Sequence, residues 1–265
     1  MGAQIHPTAI VDAGATIGED TRVGPYCVIG PDVIMGAGNL VGPHSVIEGP
    51  CTFGNGNRIG NHCSLGAPPQ DLGYKGEATK LAIGNGNFIG DYVQISRGST
   101  KTPAQTTRIG DDNFLMAYSH IGHDCNVGNR MIAGNALQLA GHVTVEDRVV
   151  FGGLVAIHQF CRVGEMAMVA GGSVTGMDIP PYCRVGGWGC AVFGLNLVGL
   201  ERAGLDRPAI KRLREAYKLL FRGTAKYEET LKRLETEFSD CAQAQHWVKF
   251  FRESERGVVR ERENK

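Results

Sequence analysis

No excess of charge of either sign marks this chain. Its 27 basic and 27 acidic residues cancel, so bulk charge gives no argument for a nucleic-acid partner or a membrane surface. Long apolar runs are missing too. No stretch of about 18 apolar residues occurs, which excludes an ordinary transmembrane helix. The first residues, MGAQIHPTAIV, contain neither the basic nor the apolar segment of a secretory signal. These absences predict a soluble cytoplasmic protein with no stable membrane insertion. Also absent is any CxxC pair among the eight cysteines. Cys27, Cys51, Cys63, Cys125 and Cys161 share one slot of the repeat described next, a slot otherwise favouring side chains the size of Ala, Ser, Val or Thr. Small buried thiols in a reducing compartment are therefore expected, rather than disulfides, redox centres or metal ligands.

What the chain does have is a rhythm. An aliphatic or other apolar residue falls at every sixth position through Ile5, Val11, Ile17, Val23, Ile29, Met35, Val41, Ile47, Phe53, Ile59 and Leu65. The beat returns at Ile83, Ile89 and Ile95, then holds from position 109 to position 169. Neither helical periodicity nor strand alternation gives this spacing; a hexapeptide repeat is the mark of a parallel β-helix. Three hexads make a coil of about 18 residues, so residues that far apart lie one above the other, roughly 4.8 Å along the axis. Glycine, with 38 occurrences, suits the frequent corners because it tolerates positive φ.

Residues 5–70 carry the repeat without interruption and read as scaffold, each coil burying its neighbour's apolar column. The beat then breaks at APPQDLGYKGEATKLA, near 71–80, and at STKTPAQTTR, near 99–108. Insertions in repeat arrays form loops, often on the binding face, so at least one should touch a ligand or a neighbouring subunit. After GMDIPPYCRVGG the pattern ends, with Pro180 and Pro181 marking the exit. In 206–222, Ile210, Leu213, Tyr217, Leu220 and Phe221 follow helical spacing, with Asp206 as cap, Pro208 in the first turn and Gly223 at the end. Tyr227, Leu231, Leu234 and Phe238 make a second stripe, and 240–255, with Trp247, Phe250 and Phe251, a third. The expected architecture is a β-solenoid over 1–190, with the two loops, followed by an α-helical C-terminal domain over 191–265.

Four of the eight histidines lie between positions 120 and 158. One coil on from His123 is position 141, beside His142; two coils on is Gln159, beside His158. These residues should line one edge over three successive coils, within about 10 Å, with His120 half a hexad away. Three readings compete. Corner histidines are often merely solvated or bonded to backbone. Three imidazoles could instead bind zinc with a position left for water. Or one could act as general base on a substrate hydroxyl while the others hold the substrate. Asp124 would fix the tautomer of His123 and raise its basicity, but neighbours on a straight strand face opposite ways, so contact between them needs a turn.

The segments HIGHDCNVGNR, LAGHVTV, GGLVAIHQFCRVG and GGSVTGMDIPPY, together with PQDLGY, FGLNLVGLERAG and AYKLLFRG, resemble the UDP-N-acetylglucosamine O-acyltransferase family of lipid A biosynthesis over nearly the whole chain. The resemblance implies a homotrimer of left-handed parallel β-helices with active sites between adjacent prisms. It implies transfer of an (R)-3-hydroxyacyl group from acyl carrier protein to the 3-position of the UDP-sugar, with no covalent intermediate, metal or cofactor. It further implies His123 as base, Asp124 as its support and Gly141 as oxyanion donor. By the same resemblance Gln70, Asp71, His120, His142 and His158 hold the sugar and pyrophosphate, and Gln159, Asn196 and Arg202 hold the nucleotide and phosphates. Gly171 matches a position that sets acyl length, and a glycine there implies a longer chain. Lys211, Arg212, Arg214, Lys218 and Arg222 give the first long helix a basic face, an expected dock for the acidic carrier.

The chain departs from the family pattern at Gly73, where lysine is common and Lys75 is the nearest replacement, and at Val198 and Ala203. These departures leave open a 3-amino sugar acceptor and amide formation. A zinc hydratase of the γ-carbonic-anhydrase type is the rival enzyme class, and a non-catalytic or ice-binding solenoid the rival scaffold; no ladder of repeated Thr supports the latter.

Overall fold

The computed structural model describes residues 2–223 and 225–261; positions 262–265 of the expected helical domain lie outside the described residues. Gln4–Ile5, Ile10–Val11 and Thr16–Ile17 start three different sheets, and Arg22–Val23 returns to pair in parallel with Gln4–Ile5. Repetition of that circuit builds, among the described residues, sheets of eleven, nine and eight strands. They are the first, second and third faces of a prism, a left-handed parallel β-helix. Equivalent positions in successive coils are 18 apart, as at Tyr26 and Thr8. The step widens to 30 between Asn55 and Asn85 and to 26 between Asn85 and Asp111, where the two insertions leave the prism.

The sixth-position residues from Val23 to Val169 point inward and are buried. Each such aliphatic side chain contributes about 1.5–3 kcal/mol on full burial. Ile5 is 45% exposed because it belongs to the first coil, with no coil beneath it. The slot shared by the five repeat cysteines is also inward, and all five are buried and unpaired. Cys125 donates its S–H to the Ala140 carbonyl at 3.1 Å, and burial pushes its thiol up to about 12. The same slot holds a buried asparagine ladder, Asn39, Asn57, Asn87 and Asn113, whose amides donate to one another between coils.

Glycine takes some of the positive-φ corners, Gly38, Gly56, Gly86 and Gly172 among them. Many corners with positive φ are made by other residues, among them Tyr26, His44, His62, Tyr92 and Tyr118, whose rings stack at centroid spacings near 5 Å. Several glycines are needed for close approach instead. A Cβ on Gly18 would sit 2.4 Å from the Gly36 carbonyl carbon in the next coil.

Strand Ala191–Leu195 folds back antiparallel on Cys183–Gly186, which closes the last coil before α1 (Leu197–Arg202), α2 (Arg207–Arg222), α3 (Tyr227–Glu237) and α4 (Ala242–Arg252) begin. Asp206 caps α2 through the Ala209 N–H, as the sequence predicts, while α4 is shorter than the 240–255 stripe. Trp247 is fully buried and donates its indole N–H to the Pro181 carbonyl at 2.8 Å, fastening the helices to the prism end. The chain then returns to the prism, bridging Val258 to Asp178 and Glu261 to Val192. No helix among the described residues is long and apolar enough to cross a membrane.

Candidate active site

The corner that turns the second face into the third concentrates the chemistry. It follows strand His120–Ile121. Asp124 adopts φ 60° there, the turn that contact with its neighbour required, and His123 Nδ1 lies 2.8 Å from Asp124 Oδ2. The second inserted loop closes over this pair. Ser99 N–H and the Thr102 hydroxyl donate to Oδ1, each at 2.9 Å, and the Ser99 hydroxyl donates to Oδ2 at 2.6 Å. Thr107 Oγ1 accepts the Asp124 backbone N–H at 2.8 Å. Burial alone would raise the Asp124 pKa, but the hydrogen bonds from His123, Ser99 and Thr102 outweigh it and hold the carboxyl well below the usual range. An ionised carboxylate only accepts, which assigns the His123 proton to Nδ1 and leaves Nε2 as the basic nitrogen.

The next coil places Gly141 against the imidazole. A Cβ there would meet His123 Cε1 and Nε2 at 2.8 Å, so only glycine lets the ring lie in place. Among the described residues no carbonyl accepts the Gly141 N–H. His142 meets His123 edge-on at 5.0 Å and stacks on Phe160 at 4.4 Å; its Nε2 is 3.7 Å from Asp124 Oδ2. Burial lowers the pKa of His142 and of His120, which favours their neutral forms. His120 Nδ1 donates to Gln94 Oε1. It shares a groove of about 390 Å³ on the second face with Gln138, Ala140, Ala156 and His158. His158 accepts at Nδ1 from the Arg256 guanidinium at 3.2 Å, so the returning C-terminal segment orients a groove histidine.

From the first inserted loop, Asp71 accepts the Gly73 N–H at 2.9 Å and pairs with Lys101 at 2.6 Å. Gln70 and Gln159 are exposed beside these elements. Asn196 and Arg202 lie elsewhere, in a groove of about 490 Å³ with Val150, Met168 and Arg184 of the first face. Asn196 caps α1 through Gly199 N–H and donates to the Met166 carbonyl. Gly171 is exposed at the corner between the first and second faces, where a Cβ would come within 3.2 Å of the Gly153 carbonyl oxygen. A single chain thus brings His120, His123, Asp124, Gly141, His142 and His158 to one edge and leaves Asn196, Arg202 and Gly171 away from it.

The family pattern described as UDP-N-acetylglucosamine O-acyltransferase, domain 2, matches residues 178–259. An acyl-[acyl-carrier-protein]–UDP-N-acetylglucosamine O-acyltransferase of Anaeromyxobacter dehalogenans is 49% identical over 256 residues, covering 97% of this chain and 99% of the relative. The protein of the same description from Aliivibrio salmonicida is 48% identical over 258 residues, covering 97% and 98%. The solved UDP-N-acetylglucosamine acyltransferase of Francisella novicida superposes with a TM-score of 0.95 at 33% identity, covering 98% of this chain and 95% of its own. The chain belongs to the UDP-N-acetylglucosamine O-acyltransferase family.

For a member of this family, the departures now have locations. The cation beside Asp71 is neither position 73 nor Lys75 but Lys101, from the other loop. Val198 is 58% exposed on the groove of Asn196 and Arg202, and Ala203 ends α1. Two cations of the basic face are paired. Arg212 is engaged by Asp240 and by the ring of Phe238, and Arg222 by Glu261. Lys211, Arg214 and Lys218 are exposed on the same helix.

His123, Asp124 and His142 offer ligand atoms within 4.8 Å of one another, a geometric argument for the zinc reading. The donor chemistry does not fit it. Asp124 already accepts from Ser99 twice, Thr102 and His123, so a metal would have to displace the bonds that hold the loop.

Sequence reasoning passed over Ser99, Thr102, Thr107, Lys101 and Arg256. The hydroxyl-rich STKT of the second break was the visible signal for the first two; the Arg256 contact follows from a chain reversal that no local pattern announces.

Proposed function

We propose that this chain transfers an (R)-3-hydroxyacyl group from acyl carrier protein to the 3-hydroxyl of UDP-N-acetylglucosamine, the first step of lipid A biosynthesis. The observation that carries the reading is the His123–Asp124 pair, with Nδ1 bonded to a fully satisfied carboxylate and Nε2 free beside Gly141.

A sugar hydroxyl is a weak nucleophile near neutral pH, and a positioned imidazole overcomes this by taking its proton during attack. His123 Nε2 accepts that proton as the oxygen bonds to the thioester carbonyl carbon. The resulting oxyanion receives the Gly141 N–H, a contribution of about 3–4 kcal/mol for a well-aimed donor. Collapse breaks the C–S bond, and His123 passes its proton to the departing carrier sulfur, which restores the neutral imidazole. Asp124 stays ionised throughout and stabilises the imidazolium.

Gln70, Asp71, His120, His142 and His158 bind the sugar and pyrophosphate in this reading, while Gln159, Asn196 and Arg202 bind the nucleotide and phosphates. Because Asn196 and Arg202 sit on another face, the site is completed by the adjacent prism of a homotrimer acting in the cytoplasm. Gly171 leaves room for a long acyl chain. Residues 1–190 serve mainly as the catalytic prism and 191–265 as the unit that receives the carrier, through Lys211, Arg214 and Lys218. The test is to supply UDP-N-acetylglucosamine with carrier-linked 3-hydroxyacyl donors of graded length. An ester product that favours longer chains is expected; failure to acylate with any donor would sink the reading.

A further inference from the structure

The two inserted loops meet at one ion pair, and its placement has consequences for the acceptor. Lys101 Nζ lies 2.6 Å from Asp71 Oδ2, while Asp71 Oδ1 takes the Gly73 N–H. Lys101 is also built into the support of the base. Its own N–H donates to Ser99 Oγ at 3.2 Å, and that hydroxyl donates to Asp124 at 2.6 Å. The turn that fixes Asp124 behind His123 therefore carries the cation that balances Asp71. The charges of Asp71 and Lys101 both act on His142, and His123 acts on Asp71, so the pair belongs to the same electrostatic site as the base.

Each Asp71 oxygen has one of these two donors, and a carboxylate oxygen accepts about two hydrogen bonds. Asp71 thus keeps room for a donor on the substrate. A carboxylate without a partner would attract a cationic donor strongly; one already paired to an ammonium keeps its lone pairs but loses most of that attraction. Lys101 is 58% exposed on its side chain, so it is reachable by substrate and removable without opening the core.

We propose that Lys101 is a specificity-determining residue that sets acceptor choice: by neutralising Asp71 it disfavours a sugar nucleotide carrying an ammonium at the acylated carbon relative to one carrying a hydroxyl. This rests on the acyltransferase reading above.

The experiment compares the full-length protein with its Lys101→Met and Lys101→Arg variants. KM is measured for UDP-N-acetylglucosamine and for its 3-amino analogue, with one carrier-linked donor, from about pH 6 to about pH 9. Lys101→Met is expected to lower the KM of the amino acceptor relative to the hydroxyl acceptor by roughly five- to tenfold at the acid end. The gain should shrink as the amine loses its proton, and Lys101→Arg should keep the parent ratio. A ratio that does not change in Lys101→Met overturns the proposal. So does an equal loss on both acceptors at every pH, which would mark Lys101 as loop support alone. If the unaltered protein acylates neither sugar, the acyltransferase reading falls and this inference with it. Activity with an unmoved ratio removes the inference alone.

Discussion

Asp32 and Asp124 occupy the same slot of the same corner in different coils. Their backbones agree, with φ 56° and 60°, and both precede a buried residue in the small inward slot, Val33 and Cys125. Yet Asp32 is exposed, with Pro31 before it, whereas Asp124 is 9% exposed, bonded to His123 and covered by Ser99 and Thr102. The repeat delivers one corner geometry many times over. Reactivity arises where an insertion supplies donors that exclude water and fix charge, and where the residue before the corner is an imidazole. A rigid prism thus keeps the coordinates, and the loops choose which coil uses them.

The largest expected effect removes the imidazole, which has no counterpart at the Asp32 corner. His123→Ala should lower kcat/KM by about two to four orders of magnitude, measured with saturating carrier-linked donor. Its thermal midpoint should stay near that of the parent, because His123 lies outside the buried apolar column. Adding Pro31→His to that variant reproduces the His–Asp sequence without the covering loop, and no activity should return. Recovery would mean that the loop is dispensable.

The second prediction concerns the covering itself. The Asp124 pKa is depressed in the folded protein, so its contribution to stability is complete above the ordinary carboxylate value, about pH 4, and is lost as pH falls through the lower folded value. Asp124→Asn should therefore cost on the order of 2 kcal/mol at neutral pH, read from the denaturant midpoint. The gap to the parent should narrow as pH drops below about 4. A gap independent of pH would mean that the Asp124 carboxyl is not held down by its donors. Third comes Gly141→Ala. Its Cβ would press on the His123 ring at 2.8 Å, and a ring displaced by a few tenths of an ångström should lose roughly tenfold in kcat with little change in acceptor KM. Unchanged kcat would show that the ring need not lie on Gly141.

The corner was legible in the sequence, and its cover was not. Six-residue spacing maps directly onto an inward column, so Ile29, Ile121 and their equivalents announce the prism, and counting by coils brings His123, His142 and His158 to one edge. Breaks in the beat mark the loops within a few residues. What the breaks could not disclose is direction. Ser99 and Thr102 bind Asp124 only because the loop folds back over its own prism, and Lys101 reaches Asp71 between two insertions separated in sequence by one intact coil. Arg256 reaches His158 through the same kind of non-local contact. Glycine has a second role that is non-local in the same way. Its value at Gly18 lies in clearance from the next coil, a property of stacking rather than of the local chain.

The basic face of α2 shows the same division between pattern and partner, and it supplies the smallest expected effect. Helical spacing presents five cations, but Arg212 and Arg222 spend their charge on Asp240 and Glu261 within the helical unit. Arg214 and Lys218 face outward instead. Reversing two of the outward charges, Arg214→Glu with Lys218→Glu, should raise the KM for the carrier-linked donor by roughly three- to tenfold, more at low salt, since exposed charges act mainly by steering. The acceptor KM should hold. Arg212→Ala should do the opposite, lowering the thermal midpoint slightly while leaving the donor KM in place. If the two sets of substitutions act alike on donor KM, the carrier does not distinguish the free cations from the paired ones, and docking on this face of α2 loses its support.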